Sequence, residues 1–273
     1  MIVECRKFYT QEIQMEHIDL GIPEHSYFMG LLHADGHMSQ RNGQSGQLTI
    51  SLMVSDTGVL EKCAELFQGV YSSVNTYTQS TTFSDSYTYS TLSIYNKEFR
   101  DELNIAGMPY GKKSGKISRP KDAIEIDYFR GLIDGDGSLG LTAQGFPFVS
   151  LVTISEPSAT EYIEFLCSIT GKHKTTSRNK RDRAFNIAVY KEDAQALVDT
   201  LYYDGCLCIQ RKLDSARRVL EWERPESMAV HATIKPWSDE QDAFVLSHDV
   251  QVSMRALGRS KKSIETRLWR LCK

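Results

Sequence analysis

The chain has 273 residues, is 41% hydrophobic and carries a formal net charge of −3, enough apolar content for one large core or two plus a small module. No apolar run reaches the roughly eighteen residues needed to cross a bilayer, and residues 1–17 lack the apolar stretch of a secretory signal. Cys5, Cys63, Cys167, Cys206, Cys208 and Cys272 form no paired framework, and Cys206 and Cys208 are too close for a C-x-x-C pair, so they read as reduced thiols of a cytosolic protein.

In chain order, residues 1–24 read as an N-terminal extension. Residues 26–36 have a helical pattern that stops at a glycine, and 47–54 alternate apolar with polar like a half-buried strand. A helical pattern at 56–67 closes on Gly69; a Ser/Thr/Tyr-rich hairpin at 71–95 and a helix at 97–104 follow. The basic, Gly-rich stretch 111–121 is a connector. The same order then returns: helix 127–137, alternating segment 146–154, helix 158–169 closed by Gly171, a Lys/Arg-rich hairpin at 172–190, and helix 191–202. Each half, 25–115 and 116–223, therefore reads α-β-β-α-β-β-α, an α+β fold used twice with antiparallel sheets. Residues 224–235, around Pro225, form a second linker, and 236–273 suggest three short helices.

The repetition is sharpest in one motif. FMGLLHADG at 28–36 and FRGLIDGDG at 129–137 share Phe, Gly, Leu, Asp and Gly at an offset of 101, and each follows a tyrosine, Tyr27 or Tyr128. Gly30 and Ala34, like Gly131 and Gly135, are four apart, so small faces of the two helices can meet closely. Gly36 and Gly137 read as left-handed helix stops. Packing on those faces brings Asp35 and Asp136 together at two helix C-termini, where a carboxylate is unfavourable by about 0.3–1 kcal/mol. Such a pair calls for a cation. Two carboxylates plus the carbonyls of Ala34 and Gly135 suit Mg²⁺ or Mn²⁺. His33 and His37 flank Asp35, but Gly36 breaks the helix between them, against a zinc pair.

Charge is clustered although the total is negative. Residues 172–191 hold seven Lys/Arg against Asp182, and 258–273 hold six against Glu265, the distribution of a protein that presents selected faces to phosphate.

The paired motif resembles that of the LAGLIDADG homing endonucleases, single-chain type, over about residues 25–215. The resemblance implies a monomer whose two saddle-shaped sheets lie over a long double-stranded DNA target, with a metal-dependent double-strand break leaving short 3′ overhangs. It places the metal-binding acids on Asp35 and Asp136 and a basic residue after the last helix of each half. Lys113 and Lys212, 99 apart, match that place better than Lys112 and Arg211. Asp56 and Glu156, 100 apart, are candidates to orient water, Asp56 being equally readable as a helix N-cap. Candidate DNA contacts are Ser39, Arg41, Gln44, Gln47 and Thr49 in the first half, and Thr142, Gln144, Arg178, Lys180, Arg181 and Arg183 in the second. Residues 236–273 resemble Myb-like or helix-turn-helix modules, in which Ile264, Leu268 and Leu271 face the core and Lys261, Lys262, Arg267 and Arg270 face DNA.

Two other readings use the same scaffold. A transcription regulator with a helix-turn-helix typically loses the acids, which are present here; an intron maturase acts on structured RNA, and RNA stays open as a partner. A prokaryotic or phage origin implies a cytoplasmic, nucleoid-associated protein.

Overall fold

A computed structural model describes residues 17–39, 46–80, 86–226, 228 and 237–272. The chain divides into two compact units, residues 1–223 and 224–273. Most of the expected 224–235 linker and the candidates Arg41 and Gln44 lie outside the described residues.

The larger unit opens with α1 (Pro23–Asp35), which runs directly into β1 (Gly36–Met38). Then come β2 (Leu48–Met53), a 3-10 turn (Val54–Asp56), α2 (Thr57–Glu65), β3 (Ser72–Gln79), β4 (Tyr87–Ile94) and α3 (Lys97–Ile105). The second half has α4 (Glu125–Asp136), β5 (Gly137–Leu141), β6 (Pro147–Thr153), α5 (Glu156–Thr170), β7 (Phe185–Tyr190), α6 (Glu192–Leu201) and α7 (Gln210–Leu220). It is a mixed α+β architecture with two antiparallel sheets, ordered β1-β2-β4-β3 and β5-β6-β7.

The second sheet has one strand fewer than the sequence suggests. Residues 172–178 form no ladder with β7; instead Lys174 donates its ammonium to the Ala188 carbonyl at 2.6 Å. The Arg178 guanidinium binds the carbonyls of Ile154 (3.0 Å) and Arg183 (2.9 Å). The Lys174 side chain thus reaches a backbone acceptor of β7, the strand a fourth one would pair with. The helix α7 was also not expected. Leu213, Ala216 and Val219 recur at helical spacing on its inner side, and Ala216 and Val219 are buried.

Along the seam where α1 packs on α4, a Cβ on Gly30 would lie 2.0 Å from the Tyr128 carbonyl oxygen. A Cβ on Gly131 would lie 2.1 Å from that of Tyr27. Only backbone fits there. Across the seam Tyr27 donates its hydroxyl to Asp134 (2.7 Å), and the Tyr128 hydroxyl meets His33 Nδ1 at 2.9 Å. The terminating glycines have a different reason from the expected one. Gly36 (φ −75°) and Gly137 (φ −86°) are extended, not left-handed. A Cβ there would lie 2.7 Å from the carbonyl oxygen of Leu32 or Ile133, because each strand leaves its helix without a loop.

The smaller unit contains α8 (Asp239–Ser247), α9 (Val250–Leu257) and α10 (Lys261–Leu271), with N-caps Ser238, Asp249 and Ser260 each accepting from a first-turn amide. Gly258 (φ 59°) makes the left-handed turn between α9 and α10. Val245, Ser253 and Ile264 are its most buried side chains.

Candidate active site

Asp35 and Asp136 end α1 and α4, and the close approach of Gly135 to Asp35 (a Cβ there would lie 2.7 Å from Asp35 Oδ2) fixes how near the two ends come. Burial raises both carboxyls above their usual range, and Asp136, pushed further by Asp35, reaches about 6. The nearby cations Lys113 and Lys212 act against that shift in both. Two partly desolvated carboxylates repel each other here, a perturbation typical of functional sites.

Each half supplies a lysine to its own helix end. Lys113 donates to the carbonyls of His33 (2.7 Å) and Ala34; Lys212 donates to those of Ile133 (3.1 Å) and Gly137 (2.5 Å). The ammonium groups meet the negative poles of α1 and α4 and stand beside the acids. Burial lowers both lysines' affinity for protons, while Asp136 and Asp35 hold Lys113 up and Asp134, Asp56 and Asp35 hold Lys212 up. A cavity of about 290 Å³ opens beside them, lined among others by Ala34, Lys113, Ser114, Asp136 and Thr153. Ala34's carbonyl, expected as a metal ligand, is engaged by Lys113; Gly135 is the other expected carbonyl donor.

The donor set fits a hard cation. Two oxygen anions converge, and among the described residues no group of three or more His, Cys, Asp or Glu gathers. A cation held there would complete its shell with water, carbonyl and phosphate oxygens, as Mg²⁺ and Mn²⁺ do. Zinc has no such set, since both ring nitrogens of His33 are engaged, by Tyr128 and by the Gly107 carbonyl at 3.2 Å.

Asp56 and Glu156 are not equivalent in space. Asp56 occupies the N-cap position of α2 but makes no capping bond; its buried carboxylate takes Arg211 Nε at 2.8 Å. Glu156 is exposed at the start of α5, 3.4 Å from Arg178.

Two nine-residue segments each line the helix seam with glycine, deliver an acid to a shared centre and pass straight into a strand. The arrangement resembles the LAGLIDADG fold. No protein-family model matches the sequence, and neither does any curated protein. Solved structures similar to the chain include the homing endonuclease I-WcaI bound to its DNA recognition sequence, at 15% identity and TM-score 0.47, covering 70% of this chain and 85% of that one. The I-LtrWI LAGLIDADG homing endonuclease bound to target DNA is similar at 12% identity and TM-score 0.43, over 71% and 87%. Full-length DUF199/WhiA from Thermatoga maritima is similar at 12% identity and TM-score 0.46, over 92% and 93%. At such identities and TM-scores these likenesses decide nothing about what the chain does.

The candidate DNA contacts fall into four groups. Ser39 accepts from the Gln47 amide at 3.1 Å and Thr142 from the Phe146 amide at 3.1 Å, so both shape hairpin ends. Gln144, Lys180, Arg181 and Arg183 are exposed at turns, Arg181 beside Asp182 at 3.1 Å. Arg178 is a brace, pinned by two carbonyls and lying 4.4 Å over Phe185. Thr49 does lie on the face of its sheet opposite Leu48, Ile50 and Leu52, with Ser51 and Met53. Register places Ser93, Thr91 and Tyr89 beside these three and Ser73, Asn75 and Tyr77 beyond. None of these last six was singled out from the sequence, although alternation with Leu92 and Ile94 marks them. This face carries no lysine or arginine among the described strand residues.

In the smaller unit Arg267 does not face outward. It pairs with Asp242 (Nε to Oδ1 2.7 Å) and lies 5.7 Å over Trp237, which also receives Arg259 at 4.0 Å. Lys261, Lys262 and Arg270 are exposed, as is Trp269, while Leu268 and Leu271 are only half-buried. No described helix of either unit is long and apolar enough to cross a membrane.

Proposed function

We propose that the chain is a site-specific homing endonuclease that makes a divalent-metal-dependent double-strand break with short 3′ overhangs in a long DNA target. The observation that carries this reading is the retained acid pair. Burial and mutual repulsion act against both charges, yet the fold holds Asp35 and Asp136 at one centre with a lysine from each half. A regulator on this scaffold has no use for that arrangement. Asp35 and Asp136 would hold a divalent cation, which would supply an activated water and charge neutralisation at the scissile phosphate and its leaving oxygen. The chain's own groups do the rest. Asp35 and Asp136 hold and orient, and Lys113 and Lys212 present positive charge, already in place, to phosphate oxygens that gain charge. The test is a plasmid carrying the joined flanks of the chain's own gene, together with a library of randomised duplex inserts, incubated with Mg²⁺ or with EDTA. Linear product in Mg²⁺ alone supports the reading; no cut in any member refutes it and leaves the regulator.

Lys113→Met and Lys212→Met are expected to slow cutting by about 10²–10³-fold while changing DNA affinity little. Methionine keeps the apolar stem but leaves helix-end carbonyls unpaired, so the melting temperature should also drop by the equivalent of about 1–3 kcal/mol. Single-turnover rates, binding isotherms and thermal melts measured together separate the two effects; normal rates in both variants refute the assignment.

The helix-turn-helix geometry of α9, Gly258 and α10 supports a second DNA contact. Removing residues 225–273 should leave a folded nuclease that binds more weakly, with a footprint shortened at one end. With Arg267 committed to Asp242, the lost phosphate contacts are Lys261, Lys262 and Arg270. The slope of log K against log salt should flatten by roughly two to three units, at about 0.9 per contact. An unchanged slope and footprint would show that α10 does not touch DNA.

A further inference from the structure

One side of the catalytic centre carries a device that the other lacks. The Asp56 side chain is 1% exposed, and its two oxygens accept Arg211 Nε at 3.1 and 2.8 Å. Arg211 comes from the other half, 155 positions away, and immediately precedes Lys212. Its side chain is 49% exposed, and its two terminal amines have no hydrogen-bond partner among the described residues. A buried carboxylate therefore fixes a guanidinium whose outer edge is free to meet an anion. The counterparts by sequence offset are Lys112 and Glu156. Lys112 is exposed, and Glu156 lies at the surface against Arg178 of its own half. The device occurs once. It also stands to one side of the acid pair: Asp35 feels the charges of both Arg211 and Asp56, whereas the groups acting on Asp136 are Asp35, Lys113 and Lys212.

We propose that Arg211, held in place by Asp56, positions the scissile phosphate of one DNA strand only, and that the two strands are consequently cut in a fixed order, the Arg211 strand first. The proposal rests on the nuclease reading above. A guanidinium presents a planar fork matched to two phosphate oxygens, and one already locked by a buried partner needs no reorganisation to do so. On the other strand the matching place offers only Lys112, a mobile point charge. A fixed donor on a phosphate that gains charge accelerates its own strand by at least about tenfold.

The test uses a plasmid carrying a sequence the protein cuts, with each strand's scission followed separately on denaturing gels under single turnover in Mg²⁺. Nicked circles should accumulate, with nicks confined to one strand. Arg211→Gln should slow that strand about tenfold and the other less than twofold, and Arg211→Lys should restore part of the difference. Asp56→Asn, which frees Arg211, should shift the strand ratio in the same direction; if its melting temperature falls, the half-exposed Arg211 variants decide. A merely structural role would slow both strands together. Equal rates for the two strands in the unaltered protein, or equal slowing of both by Arg211→Gln, overturns the proposal. If neither strand is cut at all, the nuclease reading itself fails and the proposal falls with it.

Discussion

Asp136→Asn is expected to abolish double-strand cutting and, in the absence of divalent metal at pH 7.5, to raise the melting temperature. The two effects have one cause. The carboxyl ionises at about 6 in the folded chain against 3.8 as a model group, because burial and Asp35 disfavour its charge. Folded protein therefore binds more protons than unfolded between those values, and stability falls as pH rises from about 4 to about 6. Above that window the ionised group carries a cost that solvent screening cuts to about 1 kcal/mol, because Asp136 is exposed, and Asn removes most of it. For a chain of this size that is a rise of roughly 2–4 °C. Saturating Mg²⁺ should reverse the order, because ligand bound only to the native state stabilises it, and the variant has lost one of two anionic ligands. Asp35→Asn should behave alike, with the same loss of cutting and with DNA binding kept in both. Melting curves with EDTA and with Mg²⁺, read beside cleavage, decide the matter. Full Mg²⁺-dependent cutting by either variant would remove these acids from the centre.

What could be read from the sequence was what the backbone enforces. Gly30, Gly131, Asp35 and Asp136 recur at fixed spacing because two helices meet without room for a side chain and end at one point. That constraint is local to eleven residues and appears twice. The partners of long side chains obey no such rule. Nothing in the residues around Arg267 points to Asp242, 25 positions earlier, and nothing around Asp56 points to Arg211, 155 positions later. The missing strand of the second half failed for a related reason. A polar, β-prone stretch reads as half a hairpin, but here the Lys174 side chain, and not a strand amide, reaches the β7 carbonyl of Ala188. Gly36 and Gly137 were legible as glycines and not as conformations, since a left-handed stop and a strand that starts against its own helix ask for the same residue. Even the small helix α7 hid its apolar side, three residues among seven polar neighbours.

Gly131→Ala should be among the most destabilising single substitutions in the chain, although it adds one carbon. That carbon would lie 2.1 Å from the Tyr27 carbonyl oxygen and 2.8 Å from the Leu31 amide nitrogen, both backbone atoms of a buried helix that no rotamer change can move aside. The helices must separate instead. Separation strains the buried bonds from Tyr27 to Asp134 and from Tyr128 to His33, and opens space between side chains packed to crystalline density. Overpacking alone costs about 1–3 kcal/mol, and a clash of backbone against backbone belongs at or above the top of that range. Gly30→Ala should cost as much, its Cβ falling 2.0 Å from the Tyr128 carbonyl oxygen. An internal control lies in α2. Gly58 is exposed on a helix with nothing within 4 Å of an added Cβ, so Gly58→Ala should stabilise by about 0.5–1 kcal/mol through helix propensity. Opposite signs from the same chemical change, measured by denaturant unfolding of the three variants, are the expected result. A neutral Gly131→Ala would mean that α1 and α4 do not meet at these glycines, and with the seam would go the placement of Asp35 beside Asp136.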